Sequence, residues 1–217
     1  MNLYSEIKDL ALKQIRCMNH RMAERILEMR QEDKTHHLMF NVLGYTDEQA
    51  TKIEEQEQRA RFLYANAGKF ADKSVKLCFT KTHDDAKTIK IPNPNGPRPK
   101  TFEIDIALPN GDGIEVKWRD ATTDGDHRNK EQNRVRAIAD AGFKPIRVML
   151  FLPNRDKAIK AQAHLKEIYR EVGGSYLSGA DGFDFIRERT KIDYLSILKE
   201  IAADDIIKSA IEGQGLI

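Results

Sequence analysis

Cysteine is scarce in this chain. Only Cys17 and Cys78 occur in 217 residues, with no CxxC pair and no Cys/His metal spacing. That excludes a disulfide-stapled scaffold and leaves two free thiols suited to a reducing compartment. Long apolar runs are lacking too. No window holds 18 consecutive apolar residues, and no apolar leader opens the chain. The expectation is a soluble, cytoplasmic protein with no membrane partner. A dominant charge sign is missing, with 36 Lys+Arg against 34 Asp+Glu and a formal net charge of +2. A polyanionic partner would have to be gripped by local basic surface. No tract is of low complexity and no internal repeat is visible. The stretch GGSYLSGADG at 173–182 lacks the Lys-Ser/Thr of a phosphate-binding loop, and no GxSxG signature of acyl transfer occurs. His36-His37 has no further ligand at useful spacing, which argues against a metal site there.

What is present is a core. Apolar residues make up 40% of the chain, enough for one domain with a helical extension. The expected organisation is a single domain over 1–217, with a helical N-terminal part at 1–70 and an α/β core with C-terminal helices at 74–217. Leu3, Ile7, Leu10, Ile15, Met18, Met22, Ile26 and Met29 recur at helical spacing and predict a helix over 1–31. A second helix fits 47–66, opened by Thr46 with Gln49 three residues on. SVKLCF at 74–79 alternates like a strand, and 84–100, ending in IPNPNGPRPK, reads as a polar, basic loop. Asp126 opens a helix to about 141 that Gly142 ends. PIRVMLFLP at 145–153 is short and nearly all apolar, as a strand buried on both faces would be. Asn154 caps the next helix, a strand or turn falls near 175–178, and helices near 180–189 and 193–211 follow. The fold class is α/β, a mixed central β-sheet with flanking helices. A right-handed crossover is expected to lead from Glu115 through the 126–141 helix to the buried strand.

The stretch FEIDIALPNGDGIEVKW, Phe102 to Trp118, reads as a hairpin. By alternation Phe102, Ile104, Ile106 and Leu108 share one face, with Ile114, Val116 and Trp118. Glu103, Asp105, Glu115 and Lys117 take the other. A three-residue loop, Pro109-Asn110-Gly111, keeps both apolar sets on one side. This register sets Asp105 opposite Glu115 and Glu103 opposite Lys117, with opposed Cβ atoms about 4.5–5.5 Å apart. Two such carboxylates repel unless a divalent cation sits between them. Mg²⁺ prefers a few carboxylate oxygens and keeps several waters, and it can activate water and stabilise charge on a phosphate. The same face is equally the ordinary solvent side of a hairpin, where Glu opposite Lys is a common pair. The crossover helix and buried strand that follow make the hairpin central to the sheet.

Asp105, nine intervening residues, then Glu115-Val116-Lys117 resembles the PD-(D/E)xK nuclease motif, with Ile104 where the signature often has proline. The resemblance implies that Asp105 and Glu115 bind Mg²⁺ and that Lys117 is catalytic, on a mixed sheet with flanking helices. EVKWRDATTDGDH and GADGFDFIRERTKIDYLSILKEIA are similar to type II restriction endonucleases of the ApaLI kind. That implies Mg²⁺-dependent cleavage of double-stranded DNA at a short site, by a homodimer whose two-fold axis matches a palindrome. Glu103 is either a further ligand or, as the preferred role, a partner for Lys117. Glu57 and Asp72 are candidates for an extra acid from an N-terminal helix.

RDATTDGDHRNK, leaving the strand and entering a helix, carries side chains that read base edges and grip phosphates. Arg119, Asp120, Thr122, Thr123, Asp124, His127, Arg128, Asn129 and Lys130 are the DNA-contact candidates; the competing reading is a plain loop with a helix cap. Lys87, Lys90, Arg98 and Lys100 form a loop that either clamps the backbone or is merely solvated. Two other functions compete: a structure-specific or repair nuclease on the same fold, and a non-catalytic DNA-binding protein whose hairpin acids are only surface.

Overall fold

A computed structural model describes residues 2–94, 98–119 and 125–212, with side chains omitted at 125–128 and 211–212. The chain forms two compact units. The first comprises Met1–Phe70 and Glu200–Ile217, and the second Ala71–Lys199.

In the first unit, α1 (Leu3–Gln31) starts where the Asn2 side chain accepts the Tyr4 N–H. Met18, Met22, Ile26 and Met29 form its buried stripe, packed with Phe62. The short α2 (His37–Val42) leads to α3 (Asp47–Thr80), which opens with a reciprocal cap. Gln49 N–H donates to Thr46 Oγ1 at 3.2 Å, and Thr46 N–H donates to Gln49 Oε1 at 2.9 Å.

The strand expected at 74–79 is instead the end of α3. Ala71, Ser74, Val75, Cys78 and Phe79 are all buried, a 3,4 spacing that outweighs the local alternation. The segment 84–100 is also not all loop, because β1 (Lys87–Pro92) lies within it. Ile89 and Ile91 face inward to varying degree while Lys87, Thr88 and Lys90 are exposed, the pattern of an edge strand.

Next come β2 (Thr101–Ala107), β3 (Asp112–Lys117), α4 (Gly125–Asp140), β4 (Lys144–Met149), α5 (Asp156–Glu171) and β5 (Ser175–Ser178). Three helices follow: α6 (Ala180–Thr190), α7 (Tyr194–Ala203) and α8 (Asp205–Glu212). The expected single helix at 193–211 is thus two, broken at Asp204. The helix after β4 starts at Asp156, with Arg155 rather than Asn154 at its cap position. The sheet has five strands in the order β1-β2-β3-β4-β5. The first two pairings are antiparallel, and β3–β4 and β4–β5 are parallel. This is the mixed sheet flanked by helices that the sequence predicts.

The hairpin register is the one required by the Pro109-Asn110-Gly111 loop. Ile106 pairs with Ile114 and Ala107 with Gly113, and Leu108 N–H donates to Asp112 O at 2.9 Å. Gly111 takes a φ of 87°, the left-handed turn position. Strict alternation along β2 does not hold. Lys87 pairs with Ala107 but Ile89 with Ile104, so three steps of β2 face two of β1. Ile104 and Ala107 pack in one cluster with Ala137 and Ile138 of α4. The extra residue is a β-bulge at 105–106, and it flips the faces on either side of it. Ile106 therefore leaves the face that Phe102 and Ile104 share.

Candidate active site

Strand β3 lies between β2 and β4, and its residues from Asp112 to Val116 are buried. Glu115 is consequently not on a solvent face: its side chain is 1% exposed. Helix α4 covers it. Arg134 Nη1 donates to Glu115 Oε2 at 2.8 Å, and Lys117 Nζ approaches the same oxygen at 3.3 Å. Arg134 also pairs with Glu131 Oε1 at 3.0 Å, one helical turn away. Arg147, from β4, donates to Glu131 Oε2 at 2.7 Å and is itself 1% exposed. A buried chain of alternating charge, Arg147–Glu131–Arg134–Glu115–Lys117, thus crosses from α4 into the sheet.

Asp105 comes from the bulge of β2. Its Oδ2 accepts the N–H of Val116 at 2.8 Å, taking a ladder position of the neighbouring strand. Lys76, near the end of α3, reaches Asp105 Oδ1 at 3.9 Å, Glu103 at 3.9 Å and Asp72 Oδ1 at 3.3 Å. The site therefore draws on the end of α3 and on β2, β3, α4 and β4, through residues that all belong to the second unit.

Burial pushes the Glu115 carboxyl up from its ordinary value, and nearby Asp105 adds to this against the pull of Lys117 and Arg134. Asp105 is likewise raised, chiefly by burial, with Lys117 and the Val116 N–H opposing. Burial works against ionisation of Glu131 too, yet Arg147, Arg134 and Lys117 prevail and hold it down to about 2. The charge of Glu131 is well matched, while for Asp105 and Glu115 burial outweighs the nearby cations. Glu115 Oε1 is buried without a hydrogen-bond partner among the described residues. An unsatisfied carboxylate oxygen in a dry setting is costly, and a cation relieves it. The donors are hard oxygens, which suit Mg²⁺ better than a thiolate- or imidazole-seeking metal. Asp72, Asp105 and Glu115 do not gather their ligand atoms within 4.8 Å as a threesome; among the described residues only His36, His37 and Glu54 do so.

The structure brings Asp105, Glu115, Lys117 and Asp72 to one region. Glu103 is half-exposed; it stands across from Lys90 and near Lys76, not beside Lys117, whose partner is Glu115. Glu57 belongs to the first unit, where it is exposed and pairs with Arg61 at 3.0 Å. Glu131, Arg134 and Arg147 were not singled out from the sequence. The signal was Arg147 inside an otherwise apolar strand, where a buried guanidinium demands an acid. Lys87 and Lys90 lie exposed on β1, and Arg98 and Lys100 are exposed beyond it. Arg119 is half-buried and donates to Asn154 Oδ1 at 2.8 Å, while Asn129 and Lys130 are exposed on α4. Asp120, Thr122, Thr123 and Asp124 lie outside the described residues, as do the side chains of His127 and Arg128. Cys17 and Cys78 are free thiols. Among the described residues no helix is long and apolar enough to cross a membrane.

Neither the curated proteins nor the solved structures include a match to this chain. A family model does match, that of the ApaLI-like restriction endonucleases, over residues 1–203. The match spans both the helical unit and the sheet with its acids, so the chain belongs to the ApaLI-like restriction endonuclease family and acts on DNA.

Proposed function

We propose that this restriction endonuclease hydrolyses both strands of duplex DNA at a short palindromic site, as a homodimer, through a Mg²⁺-dependent PD-(D/E)xK-type site. Asp105 and Glu115 would hold the ion. The observation that carries the reading is the buried Glu115 Oε1, unpartnered among the described residues, beside a second raised carboxyl, Asp105. When bound, Mg²⁺ supplies a Lewis acid that activates water and offsets charge on the phosphate.

The chain's own residues do the rest. Lys117 is partly exposed, and its ammonium stands at Glu115, where it can hold the attacking water or neutralise the phosphorane. Arg134, fixed by Glu131, ties down one oxygen of Glu115 and so aims the other. Lys76 brings a cation to the outer side of Asp105. Exposed Lys87, Lys90, Arg98, Lys100 and Lys130 offer a basic surface for phosphates.

The test is incubation of the purified protein with phage-sized duplex DNA, with Mg²⁺ or EDTA, alongside Lys117→Ala. Discrete fragments that need Mg²⁺ and vanish in the variant support the reading, and end-sequencing then reports the symmetry of the cut. Fragments formed equally in EDTA, or by Lys117→Ala, overturn it.

A further inference from the structure

The first unit holds a cluster that the nuclease chemistry does not use. His36 and His37, at the start of α2, are met by Glu54 from α3. The sequence spacing gives no hint of this, since the third donor arrives seventeen residues later through the turn at 43–46. His36 Nε2 lies 2.6 Å from Glu54 Oε1, and His37 Nε2 lies 3.3 Å from Glu54 Oε2. The three ligand atoms are all within 4.8 Å of one another. Tetrahedral Zn²⁺, with bonds of about 2.0–2.2 Å, separates its ligand atoms by roughly 3.4 Å. The cluster brackets that spacing.

A second observation bears on the same point. His37 is 2% exposed, and its other ring nitrogen, Nδ1, has no hydrogen-bond partner among the described residues. It points to the carboxylate of Asp47 at 3.6 Å, which in turn receives Asn41 Nδ2 at 3.0 Å. A metal-bound imidazole carries its proton on the nitrogen away from the ion and gives it to such a carboxylate. Asp47 thus stands on the side of His37 where a histidine–metal bond calls for outer support, at 3.6 Å rather than at hydrogen-bonding distance. His36 is half-exposed, which leaves a coordination position open to water. In the absence of an ion, Lys34, at 3.1 Å from Glu54, offsets the carboxylate charge.

We propose that His36, His37 and Glu54 bind one transition-metal ion of the Zn²⁺ type, with Asp47 orienting His37. Two imidazoles and one carboxylate select Zn²⁺ over Mg²⁺, which seeks an all-oxygen shell. The ion pins α2 to α3. This site is separate from the nuclease acids and does not depend on their assignment.

The test uses the full chain, stripped with a chelator and then equilibrated with Zn²⁺ in a large excess of Mg²⁺. Bound zinc is counted by mass spectrometry of the metal, and Co²⁺ replaces it for visible spectroscopy. One equivalent of zinc, a tetrahedral Co²⁺ band and loss of both in His36→Gln and in Glu54→Gln are the expected results. Asp47→Asn is expected to weaken binding by about 10–100-fold without abolishing it. Circular dichroism checks that each variant is folded, and the half-exposed His36 and the isosteric Glu54→Gln are chosen to keep it so. No zinc retained by the wild type, or the same zinc content in both variants, overturns the proposal.

Discussion

Arg134→Met probes whether the buried charge chain governs the sheet. The variant keeps an apolar stem but withdraws a guanidinium from Glu115 at 2.8 Å and from Glu131 at 3.0 Å. Glu131 retains Arg147 at 2.7 Å. The stranded charge is thus Glu115, left with Lys117 at 3.3 Å. Breaking a buried pair typically costs about 3–5 kcal/mol. The protein can escape by protonating Glu115. Counted from the ordinary value of 4.5, that costs at most roughly 3.4 kcal/mol at pH 7, at about 1.36 kcal/mol per unit, and less here because burial already raises this carboxyl in the wild type. The easier route sets the penalty, so a loss of about 1–3 kcal/mol is expected at pH 7. At pH 5.5 the same protonation costs at most about 1.4 kcal/mol, and the penalty should fall by about half. Trp118, the one tryptophan, follows Lys117 and reports on the second unit. Urea unfolding read by its fluorescence at both pH values supplies the numbers. The double variant Glu115→Gln/Arg134→Met should be more stable than Arg134→Met alone, since the stranded charge is gone. A loss below about 1 kcal/mol at pH 7, or an equal loss at both pH values, refutes the argument.

Four further outcomes are expected. Asp105 and Glu115 are raised by burial, so protons compete with a cation for them above the usual carboxyl range; the acid limb of DNA cleavage should move to lower pH as Mg²⁺ is increased, and a limb indifferent to Mg²⁺ would contradict their role as ligands. On stability the sign is opposite for the two kinds of acid: Asp105 and Glu115 favour the fold below the ordinary range and lose that as pH rises through their raised values, whereas Glu131 contributes above the ordinary range and loses it as pH falls toward about 2. Ser74→Ala should cost about 1–3 kcal/mol in urea unfolding, because it strands the buried Tyr194 hydroxyl that Ser74 meets at 2.6 Å, while Tyr194→Phe should cost less, since Ser74 keeps the carbonyl of Ala71. Gly174→Ala places a Cβ against the carbonyl oxygen of Pro145, at the start of β4, and should cost about 1–3 kcal/mol or more in thermal unfolding.

Local chemistry made much of the sheet legible. The Pro109-Asn110-Gly111 turn fixed the hairpin register, the 145–149 run announced a buried strand, and Thr46 with Gln49 marked the start of α3. The motif residues Asp105, Glu115 and Lys117 are gathered by the fold into one region. What escaped was non-local or locally ambiguous. SVKLCF satisfies a two-residue period as well as a helical one, and only the continuing stripe from Ala71 decides for the helix. The bulge at 105–106 leaves no trace in alternation, because Phe102, Ile104, Ile106, Ala107 and Leu108 are all buried. The burial of Glu115 depends on β4 and α4 closing over β3, and its partner Arg134 lies nineteen residues away. Polar residues on a strand look the same in sequence whether water or a guanidinium faces them.

The bulge has a consequence for how cutting depends on substrate. It commits Asp105 Oδ2 to the Val116 N–H, as Arg134 and Lys117 commit Glu115 Oε2. Each acid then has a single oxygen left to offer. Under the proposed Mg²⁺ chemistry, a cation wanting about six oxygens would find one free oxygen on each of these two acids. The remaining positions would fall to water and to the phosphate to be broken. The substrate would then complete the metal site, and hydrolysis without correctly seated DNA would be disfavoured.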